Sequence, residues 1–237
     1  MQGADGESFR QMPALAPHRR RTLKGRAAMP VGLLYLDEGH LEDLLLVQRL
    51  AQVLKQLPAP LVLVHGSGGR AEQLLEAEGY VPERRAGVLV AHTDRERMLI
   101  ERGIRETNQR LVAGLNELLI PAVGIQGSDR GLLRRERTGT LQVGHIAWLA
   151  RLLHQGVWPV VSTLVQAATQ QVVEAPAAEV LRALASAWAS DAVVLLLTDR
   201  QGQVADAAVA TACQQQHLRT WRGQLEKLPE ALKQEVF

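Results

Sequence analysis

A chain of 237 residues that is 46% hydrophobic can bury a sizeable core, and its length admits one α/β domain or two small ones. Its 27 basic and 25 acidic side chains nearly cancel to +2, which excludes overall charge as an argument for nucleic-acid binding. The single cysteine, Cys213, excludes an internal disulfide and a cysteine-based zinc cluster and fits a reducing, cytoplasmic setting.

Residues 1–28 carry Gly, Pro, polar residues and a basic cluster (Arg19, Arg20, Arg21, Lys24, Arg26). They read as a disordered basic arm before a domain over 29–237. Sequence upstream of a start at Met29, or an arm that contacts a partner, are the alternatives. "VGLLYL" (31–36) predicts a buried strand. Apolar residues from Leu41 to Leu57 recur at helical spacing, and Pro58 and Pro60 stop that helix. "LVLVHG" (61–66) predicts a strand, followed by the glycine-rich "HGSGG" and a helix over 70–78 closed by Gly79.

"AGVLVA" (86–91) predicts a short strand. "TDRE" (93–96) is a capping box that opens a long helix to about Leu119. Gly103 and Gly114 lie inside that helix, where glycine costs about 1 kcal/mol relative to alanine. Close approach of another helix would explain them and suggests a homodimer. "PAVGI" (121–125) predicts a strand, 146–155 a helix, "VWPVVSTLV" (157–165) a strand, 177–189 a helix, "AVVLLLTD" (192–199) a strand and 223–236 a helix. Strands apolar on both faces that alternate with helices predict a three-layer α/β domain: an open, mainly parallel sheet with helices on both faces.

Ligands of such sheets bind beyond the carboxyl ends of the strands, so the loops after Leu36, Val64, Ile125, Leu164 and Leu197 matter most. In "HGSGG" the glycines let the backbone approach an anion and the following helix supplies N–H donors. No Lys-Ser/Thr pair follows, so the loop is not a Walker A motif; a plain tight turn is the alternative. The seven histidines show no metal-ligand spacing, so no metal site is expected. No basic–aromatic interleaving suggests a nucleic-acid partner, and no apolar run approaches the ~20 residues of a membrane helix.

"LVLVHGSGG" resembles a glycine segment of the amino-acid kinase family, in particular N-acetylglutamate kinase and the carrier-protein-linked aminoadipate kinases. The resemblance continues in order through "HTDRERMLIERGIRETNQRLVAGLNELLIPAVGIQGSDRGLL", "VWPVVSTL", "VVLLLTD" and "GQLEKLPEAL", from about 61 to 232. It implies phosphorylation of the side-chain carboxylate of an acylated amino acid by ATP with Mg²⁺, in arginine or lysine biosynthesis, and a homodimer.

The family's residues carry over unevenly. Gly66, Ser67 and Gly68 take the place of the substrate-binding loop, with Ser67 replacing a glycine. Thr198 and Asp199 fall in the nucleotide-binding stretch. Lys227 matches a lysine that stabilises the transferring phosphate, and Glu179 takes the place of the acid that orients the catalytic lysines, with Glu174 the other candidate. The first strand departs from the family: Tyr35 stands near the position of a phosphoryl-binding lysine, and Asp37 and Glu38 stand at two glycines. Ala91 replaces the arginine that clamps the substrate carboxylate, leaving His92 or Arg95 to compensate. Catalysis is therefore expected to be impaired. The alternative is a degenerate member that binds a ligand or partner.

Overall fold

The computed structural model describes residues 31–188 and 192–233; the arm expected over 1–28 lies outside them. In chain order the elements are β1 (Val31–Leu36), α1 (Glu38–Glu42), α2 (Leu46–Leu54), β2 (Val62–His65), α3 (Gly68–Ala77), β3 (Arg84–Arg85), β4 (Val88–Leu89) and α4 (Asp94–Glu117). There follow β5 (Ala122–Gln126), β6 (Leu133–Arg135), β7 (Leu141–Val143), α5 (Ala147–His154), β8 (Trp158–Ser162), β9 (Leu164–Gln166), β10 (Val172–Glu174) and α6 (Ala177–Ala187). The last are β11 (Ala192–Leu197), α7 (Ala207–Gln215), β12 (Thr220–Gly223) and α8 (Leu228–Ala231).

Six strands form one sheet in the order β12-β11-β1-β2-β8-β5, and every pairing in it is parallel. Side chains alternate between the faces of a strand, and here both faces are covered. Leu33, Tyr35, Val194 and Leu196 pack in one apolar layer with Leu149 of α5, Leu181 and Leu184 of α6 and the fully buried Cys213 of α7. Leu34, Leu36, Val193, Leu195 and Leu197 pack on the other side with Leu50 and Leu54 of α2, Leu111 and Leu115 of α4 and Leu228 of α8. This is the expected three-layer α/β fold. A smaller sheet, β10-β9-β6-β7, and the hairpin β3-β4 complete it.

Several boundaries differ from the expectation, each for a local reason. The helix expected from Leu41 to Leu57 is broken: the Asp43 carboxylate accepts the Leu45 N–H at 2.9 Å, and such local side-chain bonds compete with helix. The strand expected over 157–165 is two strands in two sheets. Thr163 between them donates its N–H to the His65 carbonyl and accepts from Ala175, both at 2.9 Å. In place of a helix from 223, Thr220–Gly223 pairs with β11 at the sheet edge; a single 3₁₀ turn, Leu225–Lys227, and the short α8 follow.

The capping box is present: Thr93 accepts the Glu96 N–H at 3.1 Å and Glu96 accepts the Thr93 N–H at 2.7 Å. The two glycines of α4 serve the fold of one chain. A Cβ on Gly103 would run into the backbone of Ala71 in α3, and one on Gly114 would stand 2.8 Å from Val47 Cγ1 in α2. The glycine argument for a homodimer is thereby removed.

Candidate functional site

Because all six strands are parallel, their carboxyl ends lie along one edge of the sheet. Registers pair Leu36 with His65, His65 with Ser162 and Leu197 with Gly223, so the loops beginning at Asp37, Gly66, Thr163 and Thr198 sit side by side. The chain leaves β1 towards β2 but reaches β12 from β11 in the opposite direction. The crevice of an open sheet forms at such a reversal. A cleft of 490 Å³ lies there, bordered among others by Tyr35, Asp37, Glu38, Gly66, Arg84 and Asp206, and its size suits a small ligand.

His65, the residue before the glycine loop, is fully buried. Its Nδ1 lies 2.8 Å from the Gly66 carbonyl, and its Nε2 lies 2.9 Å from the Asn108 amide nitrogen. A carbonyl only accepts, so Nδ1 carries the proton and Nε2 accepts from Asn108. Asn108 also donates to the Val160 carbonyl at 2.9 Å. Burial pushes the His65 pKa down to about 4 against the smaller opposing effect of the Gly66 carbonyl. The imidazole is therefore a neutral strut that orients the glycine loop. Gly68 adopts φ +57° at the entry to α3, in the left-handed region that favours glycine.

One backbone donor of this loop, the Ser67 N–H, is already engaged. The Ser67 N–H donates to Glu174 Oε1 at 2.9 Å, and Glu174 Oε2 accepts the Leu89 N–H at 3.2 Å. Thr163 adds a longer contact to Oε1 at 3.5 Å. Burial raises the Glu174 pKa, against the N–H groups that favour its charge.

Among the described residues Arg84, on β3, is the only basic one bordering the cleft, against Asp37, Glu38, Glu42 and Asp206. It is fully committed: Nη2 pairs with Glu38 at 2.8 Å, Nε with Glu72 at 2.7 Å, and Nη1 donates to Ser67 Oγ at 3.2 Å. Asp37 is buried and caps α1, accepting the His40 N–H at 3.0 Å, with His40 Nδ1 at 2.8 Å. The Tyr35 hydroxyl donates to Asp206 Oδ2 at 3.0 Å. Burial first, and then the Asp206 charge, push the Tyr35 pKa well above its ordinary value.

The residues expected to form the site fall into three places. Gly66, Ser67 and Gly68 border the cleft. Thr198 and Lys227 border a second, neighbouring cleft of 580 Å³. Lys227 is exposed there, with no ion-pair partner among the described residues, and Asp199 binds the Gln203 N–H at 2.8 Å. Glu179 borders neither cleft and pairs with Arg135 of β6 at 2.8 Å. His92 and Arg95 are bonded to Glu83 and Glu78 on the exposed surface, so neither supplies a clamp beside the glycine loop. The guanidinium that does stand there, Arg84, carries no sequence signal beyond "RR" in a polar stretch. Asp206 is equally silent.

The model of the amino acid kinase family matches residues 35–202, which take in the end of β1 and the glycine loop. The chain belongs to the amino acid kinase family. An acetylglutamate kinase of Aeromonas hydrophila is 30% identical over 143 residues, 57% of this chain and 55% of that protein. One from Methanopyrus kandleri is 32% identical over 163 residues, 61% of this chain and 64% of that protein. The chain thus spans a little over half the length of such relatives. Among solved structures, a T. acidophilum isopentenyl phosphate kinase aligns over 87% of this chain and 97% of its own, with a TM-score of 0.56 at 12% identity. An N-acetylglutamate synthase of Neisseria gonorrhoeae aligns over 88% of this chain and 57% of its own, with a TM-score of 0.60 at 18% identity. These structural likenesses establish the fold, and function must be argued from the site.

The nucleotide implied by the family fits the first cleft poorly, while the neighbouring cleft is bordered by Arg200, Arg222 and Lys227 against Glu230. A triphosphate needs surplus cations, whereas Arg84 is spent on Glu38 and Glu72 and the remaining bordering charges are carboxylates. No group of three or more His, Cys, Asp or Glu among the described residues could hold a metal ion.

Proposed function

We propose that this chain is an acetylglutamate-kinase-like phosphotransferase, of the arginine- or lysine-biosynthesis type, whose phosphoryl transfer is impaired. The observation that carries this reading is Tyr35 bonded to Asp206 near the position where the family resemblance places a cation. The transferring phosphoryl spreads negative charge over its oxygens, and catalysis depends on preplaced positive groups. In their place the first cleft presents a neutral phenol, a helix-capping Asp37 and a Glu38 that already neutralises Arg84. Lys227 faces the neighbouring cleft and cannot balance charge on the opposite side.

A coupled assay with ATP, Mg²⁺ and millimolar N-acetylglutamate tests the proposal. The expected result is no turnover at about 1 s⁻¹, the low end of kinase rates. Turnover at that rate which disappeared in Lys227→Ala would overturn it.

A second reading, a ligand- or partner-binding regulatory protein without turnover, draws on the engagement of Ser67 N–H by Glu174. A thermal-shift series with ATP, ADP and Mg²⁺ separates the two, since nucleotide stabilises the impaired kinase and leaves the regulatory protein unmoved.

A further inference from the structure

We infer that Glu174 is a built-in competitor: its carboxylate occupies the anion seat of the glycine loop and latches the β3-β4 hairpin against it, so a ligand carboxylate binds there only by displacing it. This rests on reading the loop as a substrate-side seat. Three observations converge on it. The seat is formed by the Ser67 N–H at the start of α3, where backbone donors and the helix dipole favour an anion. One oxygen of Glu174 takes that donor at 2.9 Å, as a ligand carboxylate would, while the other takes the Leu89 N–H of β4 at 3.2 Å. Gly66 lies against it: a Cβ there would stand 3.4 Å from Glu174 Oε1, at ordinary contact distance.

The same carboxylate therefore joins three elements far apart in sequence: β10, the loop after β2, and the hairpin. Arg84 holds the other strand of the hairpin to Glu38, Glu72 and Ser67, so the hairpin is fastened on both strands. An incoming carboxylate must break the Ser67 N–H bond to Glu174 before it gains that donor. Binding to the resting chain is weakened by that exchange, because a ligand gains only the difference between its own contacts and those it replaces.

The test uses the full chain without nucleotide, so that its outcome is independent of phosphoryl transfer. N-acetyl-L-glutamate is titrated calorimetrically against the wild type, Glu174→Ala and Glu174→Gln. Alanine vacates the seat; glutamine can keep its one oxygen on the Ser67 N–H and leave the seat filled, while its NH2 no longer accepts from Leu89. The expected result is at least about tenfold tighter binding to Glu174→Ala than to the other two, equivalent to 1.4 kcal/mol or more. Equal affinity for wild type and Glu174→Ala, or no binding to a cooperatively folded Glu174→Ala at tens of millimolar, would overturn it.

Amide resonances of the wild type give a readout that does not depend on the variants folding. The Ser67 and Leu89 amides of the ligand-free chain are expected to be protected from exchange, as donors held by Glu174 are. Rapid exchange of both amides would overturn the inference.

Discussion

The hydroxyl of Tyr35 donates to the carboxylate of Asp206 at 3.0 Å across 171 positions of sequence, joining the end of β1 to the start of α7 at the point where the sheet's crevice opens. Asp206 uses its second oxygen to cap α7, accepting the Val209 N–H at 3.0 Å. Tyr35→Phe removes only the hydroxyl and is expected to destabilise the fold by about 1–2 kcal/mol, the cost of one charge-assisted bond at a buried site. Asp206→Ala loses the cap as well, a further ~1 kcal/mol. Urea denaturation of both single variants and the double variant measures the coupling; additive effects would show that the bond contributes nothing.

His65 gives the protein an acid-sensitive component. Its pKa is 6.5 unfolded and about 4 folded, so between those values the unfolded chain binds the proton and the folded chain does not. Stability from this group is intact above pH 6.5 and is lost as pH falls towards 4, by about 3 kcal/mol in all. Glu174, raised above 4.5 by burial, acts in the opposite direction: the folded state takes up its proton first, so this group favours folding as pH falls through its folded value. The His65 share is read as the difference between wild type and His65→Gln in denaturation at pH 7 and pH 4. A difference that does not change with pH would show that His65 is not held neutral.

The two glycines of α4 should respond differently to alanine. A side chain at Gly103 meets the main chain of Ala71, which has nowhere to go, whereas one at Gly114 meets the Cγ1 methyl of Val47 at 2.8 Å. Gly103→Ala is expected to cost about 1–3 kcal/mol through forced separation of α3 and α4. In Gly114→Ala the helix-propensity gain of ~1 kcal/mol offsets much of the shift of Val47. Thermal melts rank them; a Gly114→Ala melting point below that of Gly103→Ala would contradict the assignment of contacts.

Lys227 is exposed in the second cleft without an ion-pair partner among the described residues. Lys227→Ala is expected to leave stability within about 0.5 kcal/mol of wild type, as surface changes away from a specific contact do. A loss above that, measured by denaturant unfolding, would reveal a structural role that the exposed position does not suggest.

The sequence determined the sheet and the edge that carries the site. β1, β2 and β11 fall at or within one or two residues of where continuous apolar runs put them, because strands buried on both faces leave no polar gap. The capping box fixed the start of α4, since its two bonds close within four residues. The glycine loop was legible as a backbone feature after a strand, and so was the absence of cations from the loop after β1. β6, β7 and β10 of the smaller sheet were not legible, nor was β12, because three or four residues carry too little periodicity.

What the loop binds was decided by tertiary structure alone. Glu174 lies 107 positions from Ser67, and Arg84 lies 46 from Glu38. No local pattern marks either pairing, because each depends on how successive parallel crossovers bring the strand ends to one edge. The family resemblance offers Glu174 as an alternative orienting acid, and only the fold carries it to the Ser67 N–H. Composition and spacing constrain bonds made within a few residues, while charge complementarity in the cleft is fixed only once the chain has closed around it.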